Sequence, residues 1–342
     1  MNKSKLMDRW AIRYPEKPIF NHEFWGRYQQ FQRNWSFSHD RLRELNSRLN
    51  EQFAEDGSFS VLVAGSYGRL DAHEKSDLDF MIVHDGHLKD DSAKIDQVRE
   101  CASSLGISLP NAEGAFSKPI AIDGMINTIG SKEDDLNATA RRLLILMEGR
   151  PVYNEIYYKN IISRILDHYM RLLSEEPEKE ALVLLNDVIK YFRNICINVE
   201  FSFWQDEGKW GIRNIKLKHS RILIYTGLLF LIINSSKYRS KKISYLRDHI
   251  HLSPIEKIYS VYMENDDYNF DRVIGPYNTF LSKLSSDSVR EELNALDYTD
   301  RFSSSNYAEL KTNSGFLQAE FTRFILDNRM KWTSKIFEYL IF

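Results

Sequence analysis

The spacing of apolar positions changes along this chain, and the change divides it. Leu42, Leu45, Leu49 and Phe53 recur at helical spacing behind Ser38, which reads as an N-cap. Val61, Leu62, Val63 and Ala64 form a short β-branched run that suits a buried strand, and Phe80, Met81, Ile82 and Val83 form a second. The helix after Ser38 is expected to lie against the first strand. Ile95, Val98, Cys101, Ala102 and Leu105 then share one helical face, and Gly106 ends it. Residues 107–130 alternate strand fragments with turns. A helix is predicted to open at Ser131-Lys132-Glu133-Asp134-Asp135, where acids suit the helix dipole, and to run to Gly149. Arg141 and Arg142 within it read as a solvated face with salt bridges.

Beyond this point the pattern is almost wholly helical. Long helical patterns cover residues 156–174 and 179–203, and residues 254–342 are helical again with a polar hinge at 303–306. The longest apolar stretch, residues 222–233, is too short to span a bilayer and predicts a buried helix. Residues 235–245 read as a basic loop with two tyrosines, a solvated connection or a guide for nucleic-acid phosphates. The predicted organisation is an aromatic N-terminal arm over 1–37, an α/β domain over 38–152 and an all-helical domain over 153–342. The arm's aromatics are expected to pack on the later domain. The last stretch, residues 332–342, is too apolar to dangle; it packs on the body or makes a homo-oligomer.

Composition narrows the partners. The chain has 342 residues, 43% hydrophobic, so a sizeable core is expected. Its formal net charge of −2 gives no global drive toward nucleic acid or membrane, so any phosphate-binding surface is local. The two cysteines, Cys101 and Cys196, sit among apolar residues and read as buried thiols of a cytoplasmic protein. The first residues lack the apolar core of a signal peptide. The nine histidines are scattered, with no zinc spacing.

Candidate chemistry concentrates in residues 59–85. Gly65-Ser66-Tyr67-Gly68-Arg69 follows the first strand at once, and glycine lets the backbone turn sharply and approach a ligand. A serine at a helix start caps it, and free N–H groups there favour an anion. Ser76-Asp77-Leu78-Asp79 leads into the second strand. Strand residues alternate faces, so Asp77 and Asp79 point the same way. Two carboxylates on one side are costly without a cation between them. A hard divalent ion such as Mg²⁺, itself holding substrate phosphates, satisfies both.

Glycine turn, Arg69, the Asp77-x-Asp79 pair and the flanking strands together resemble the DNA polymerase β-type nucleotidyltransferase superfamily. The wording looks closest to the bacterial branch with uridylyl- and adenylyltransferases, and an enzyme of this kind that builds oligonucleotides without a template would resemble those that make nucleotide signals in bacterial anti-phage defence. The resemblance implies an α/β catalytic domain, a small mixed sheet with flanking helices, followed by a helical domain. It implies two Mg²⁺ ions, with Mn²⁺ as an alternative, on Asp77, Asp79 and a third carboxylate. Glu113 and Asp123 are the candidates for the third, with Glu113 favoured. Ser66 and the backbone of Gly65 to Gly68 would bind phosphate oxygens, and Arg69 would steady the loop or neutralise charge. Lys216 and Ser220 would hold the triphosphate tail, with Lys190 and Arg213 in support; otherwise Asp187 and Glu200 pair with these cations. Implied partners are an NTP or dNTP and a hydroxyl acceptor on a nucleotide, an oligonucleotide or a protein. Template-independent nucleotide synthesis is the leading expectation; protein nucleotidylation, tRNA modification by a toxin and a non-enzymatic regulator are the alternatives.

Overall fold

The computed structural model describes residues 19–20, 22–54, 56–86, 88, 91–110, 118–171, 181–204 and 209–341. Residues 33–171 cluster as one compact unit, and residues 20–32 with 172–342 as another. In chain order the elements begin with α1 (His22–Arg27), α2 (Gln29–Phe53), β1 (Phe59–Val63), α3 (Gly65–Arg69), β2 (Phe80–His84) and α4 (Asp91–Ser104). They continue with β3 (Ile120–Ala121), α5 (Ile122–Ile126), α6 (Leu136–Met147), β4 (Arg150–Tyr153) and α7 (Glu155–Arg171).

The first unit is built on a four-stranded mixed sheet in the order β3-β2-β1-β4. β1 runs antiparallel to β2, with Phe59 opposite His84 and Val63 opposite Phe80. It is also antiparallel to β4, while β2 and β3 are parallel. Every residue of β1 and β2 is buried, which is why both read as continuous apolar runs rather than alternating ones. Leu42, Leu45, Leu49 and Phe53 of α2 are buried, and Phe53 meets Phe59 edge-on at 5.0 Å, so α2 does lie on the first strand. Gly106, with φ +68°, ends the α4 segment.

Four expectations need correction in this unit. Ser38 is no N-cap: α2 begins at Gln29, and Ser38 lies fully buried inside it. Its hydroxyl donates to the Asn34 carbonyl at 2.7 Å and accepts from the Ala72 N–H at 2.9 Å, so the polar residue serves a tertiary contact. The helix expected from Ser131 begins at Leu136, capped by Asp135, which accepts from the Ala138 N–H at 2.7 Å. Arg142 is not solvated but wholly buried. Its guanidinium forks onto Asp134 at 2.8 and 2.7 Å and donates to the Met125 carbonyl and the Tyr169 hydroxyl. Last, β4 was not foreseen. It is short, contains Pro151 and sits at the sheet edge, the one place where a missing N–H does little harm.

The second unit is helical: α8 (Leu182–Trp204), α9 (Trp210–Lys216), a π-helical turn (Leu217–Arg221), α10 (Ile222–Ser235), a 3₁₀ turn (Ser236–Lys241), α11 (Lys242–His249) and α12 (Pro254–Met263). α13 (Asp271–Leu284), α14 (Asp287–Ala295), α15 (Ser305–Asn328) and α16 (Ser334–Ile341) complete it. α10 is apolar all round and buried, as its composition predicts, and Gly227 lets it approach α12 so closely that a Cβ would lie 2.8 Å from the Pro254 carbonyl oxygen. α12 starts on a capping box in which Ser253 and Glu256 satisfy each other's backbone. Phe20 meets Tyr259 and Phe270 at 5.0 and 5.3 Å and so packs on later helices, whereas Phe37 meets Tyr67 at 6.4 Å in the first unit. Trp10 and Tyr14 lie outside the described residues.

Two further readings change here. The supposed basic loop is a 3₁₀ turn and helix, and the hydroxyls of Tyr238 and Tyr245 donate to Glu264 at 2.9 and 3.3 Å. The supposed hinge is a helix start: Ser304 accepts from the Tyr307 N–H at 2.9 Å as the N-cap of α15. Trp332 is buried, and its indole N–H donates to Asn234 at 3.3 Å. Among the described residues no helix is long and apolar enough to cross a membrane.

Candidate active site

Backbone geometry at the end of β1 makes the site. Gly65 opens α3 with φ +62°, a conformation costly for any residue with a Cβ. A Cβ there would also stand 2.4 Å from Asp79 Oδ2. The Ala64 N–H donates to the Asp79 carbonyl at 2.9 Å. Thus the glycine turn and the second aspartate, fourteen positions apart in sequence, are in direct contact. Ala64 is the N-cap and supplies no side-chain acceptor, so Ser66 stands inside the first turn, partly exposed, rather than capping it.

The two aspartates lie in the irregular segment just before β2 and not in the strand itself. Burial alternates: Asp77 is exposed, Leu78 fully buried, Asp79 half-buried and Phe80 buried. Leu78 is anchored by its N–H to the Ser108 carbonyl at 2.8 Å. Both aspartates are thus more exposed than the leucine between them. Asp77 also acts on Tyr67. Burial raises that phenol to about 12, with Arg41 pulling it down and Asp77 pushing it up. Tyr67 is therefore neutral at physiological pH.

Arg69 and Gly68 build the walls of the turn. The Arg69 guanidinium donates to Asp71 at 2.9 Å and to Glu148 at 2.8 Å. Asp71 and Glu148 are buried, so one cation is shared by two carboxylates. This is the loop-steadying arrangement. Gly68 is buried, its N–H donates to the Ala64 carbonyl at 3.0 Å, and a Cβ would sit 2.3 Å from the Glu148 carbonyl oxygen. Its lack of a side chain thus serves close packing against the end of α6. Arg150 of β4 adds a bond from Nε to the Gly68 carbonyl at 3.3 Å. Sequence reading missed Asp71, Glu148 and Arg150. The one available signal was Glu148-Gly149-Arg150, a charged tripeptide closing an apolar helix.

The third carboxylate divides into two cases. Glu113 lies outside the described residues. Asp123 stands in the first turn of α5 and is ion-paired to Arg164 of α7. Among the described residues no group of three His, Cys, Asp or Glu side chains is placed to hold a metal ion. Asp77 and Asp79 supply hard oxygen donors, the ligand type a divalent cation takes, and the Asp79 carboxylate fills the space that the absent Gly65 side chain leaves.

The proposed phosphate ligands of the second unit fall in α8, in α9 and in the π-helical turn. Lys190 and Lys216 are exposed, Arg213 is partly exposed and Ser220 is buried. The Ser220 hydroxyl donates to the Lys216 carbonyl at 3.1 Å. A four-residue spacing was expected to put Lys216 and Ser220 on one face. The π-helical turn begins directly after Lys216 and contains Ser220.

Residues 42–112 match the family model described as a nucleotidyltransferase domain. That range contains β1, the glycine turn, both aspartates, β2 and α4. No curated protein matches the chain. The family match supports a transferase of the nucleotidyl-transferring type, for which a nucleoside triphosphate is the implied substrate.

Proposed function

We propose that this protein transfers a nucleoside monophosphate from an NTP or dNTP to a hydroxyl of a nucleotide or oligonucleotide acceptor, without a template, and releases pyrophosphate. The observation that carries the reading is the contact between Gly65 and Asp79, which joins the phosphate-approach turn to the carboxylate pair. Asp77 and Asp79 would hold Mg²⁺, which when bound neutralises phosphate charge and lowers the pKa of the attacking hydroxyl. The Gly65-Ser66 backbone would allow close approach of phosphate oxygens, and the Ser66 hydroxyl would donate to one. Arg69 holds that turn through Asp71 and Glu148 and does not itself need to touch substrate. Catalysis then rests on positioning and fixed charge, which suits in-line displacement at the α-phosphorus.

The test is incubation of purified protein with each α-³²P-labelled NTP and dNTP plus Mg²⁺, beside an Asp77→Ala/Asp79→Ala control, resolved on nucleic-acid and protein gels. The expected result is a nucleotide or oligonucleotide product that the control lacks. Label on protein alone, or only when RNA is added, would replace the acceptor in this reading with a protein or a tRNA.

A further inference from the structure

Among the described residues, α8 carries an apolar face that its neighbours leave open. Ile189, Phe192, Arg193, Cys196 and Ile197 follow the i, i+3, i+4, i+7, i+8 spacing of one helical face. With Tyr225 of α10 they line a cleft of about 480 Å³. Small-ligand sites occupy roughly 300–1,000 Å³. The Phe192 and Tyr225 rings stack on each other at 4.3 Å with planes 16° apart, so the two form one aromatic block in the lining. Ile197 is 61% exposed at its edge.

Charge decides what fits. Arg193 is exposed and makes no ion pair with a carboxylate among the described residues. Burial raises the Tyr225 phenol to about 12 against the pull of Arg193, so a neutral hydroxyl stands beside the guanidinium. Burial also raises the Cys196 thiol, with Lys218 opposing and Glu200 adding a smaller upward push. A hydrocarbon ligand would leave Arg193 unmatched. A second copy docked face to face would bring two unmatched guanidinium groups into one apolar contact. A planar ring carrying an anionic group satisfies the aromatic block and the guanidinium together.

We propose that this cleft binds a nucleotide, with the base against the Phe192–Tyr225 pair and the phosphate at Arg193. Stacking on aromatic side chains tolerates any base, because every base has a π-face. The choice of nucleotide among planar anions rests on the nucleotidyl-transfer reading; the cleft itself does not.

Cys196 lies in the cleft and supplies the readout, with buried Cys101 as internal control. The full chain is alkylated with iodoacetamide at alkaline pH, in EDTA, with and without AMP, GMP, CMP or UMP, and each cysteine is followed by peptide mass spectrometry. At least one nucleotide should slow Cys196 alkylation by the factor 1 + [L]/Kd, about tenfold at nine times the Kd, and leave Cys101 unchanged. Protection should persist in Asp77→Asn/Asp79→Asn and fall severalfold in Arg193→Ala and in Ile197→Asp, both at exposed positions. Absence of protection by all four nucleotides, or protection lost with the two aspartates, overturns the proposal. Protection that rises with protein concentration alone also overturns it, in favour of a second copy. Because the readout needs no turnover, a cleft that fails while labelled product still forms refutes this inference alone. A cleft that holds while no product forms refutes only the transfer reading.

Discussion

Gly65 and Gly68 lie three positions apart and exclude a side chain for different reasons. At Gly65 an added Cβ meets the free end of the Asp79 side chain at 2.4 Å, and φ is +62°. The carboxylate can rotate away, so Gly65→Ala should cost about 1–2 kcal/mol from the left-handed backbone and, by displacing Asp79, about 10²-fold in transfer rate. At Gly68 the obstacle is the Glu148 carbonyl at 2.3 Å, which is backbone and cannot rotate. Gly68→Ala should therefore act on stability, by about 1–3 kcal/mol or more of overpacking. Urea denaturation beside single-turnover kinetics separates the two. Arg69→Ala removes the cation shared by two buried carboxylates and should cost about 3–5 kcal/mol. Arg69→Lys should recover only part of that, because an ammonium lacks the fork that reaches both Asp71 and Glu148.

Among the elements, α2 shows how far periodicity reads. The spacing of Leu42, Leu45, Leu49 and Phe53 identified the buried face, and all four are buried. The start was misplaced by ten residues, at 39 rather than Gln29, because serine is a common cap and nothing local marks it as an interior hydrogen-bond partner of residue 72. Ser38→Ala should leave the Ala72 N–H buried without a partner and cost about 1–3 kcal/mol, measurable by denaturation. The glycine turn and both aspartates were legible because their chemistry is contiguous in sequence. Asp71, Glu148 and Arg150 were not, since their roles arise from contacts up to 82 positions apart. The same holds for Arg142: its neighbours in sequence look solvated, and its partners come from α5, the loop before α6, and α7.

For the whole molecule, pH exposes one buried group. His219 is fully buried, stacked on Phe280 at 4.5 Å, hydrogen-bonded to the Ile215 carbonyl at 2.9 Å and contacted by Asn313 at 3.1 Å. Burial lowers it to about 4; the Ile215 bond opposes and Lys218 assists. A histidine lowered in the fold stabilises fully above its unfolded value near 6.5 and loses that contribution as pH falls toward 4. The loss amounts to about 3 kcal/mol. His249 does not interfere in this window. Burial pushes it down, but the Glu264 and Tyr245 hydrogen bonds raise it overall, so its contribution is present below 6.5 and fades only at higher pH. Glu264, lowered to about 2 against burial by bonds from His249, Tyr238 and Ser260, holds its contribution above about 4.5. His219→Gln should therefore be less stable at pH 7 yet show a shallower loss between pH 6.5 and 4.5 in denaturant titrations.

The central claim, that Asp79 and the glycine turn form one nucleotidyl-transfer centre, is tested most directly by pyrophosphate release. The wild-type chain and Asp79→Asn would be compared with each NTP, with and without Mg²⁺, after circular dichroism has shown equal folding. The account expects Mg²⁺-dependent release in the wild type and a fall of about 10²–10³-fold or more in Asp79→Asn. Equal release from the two proteins, or release indifferent to Mg²⁺, would contradict it.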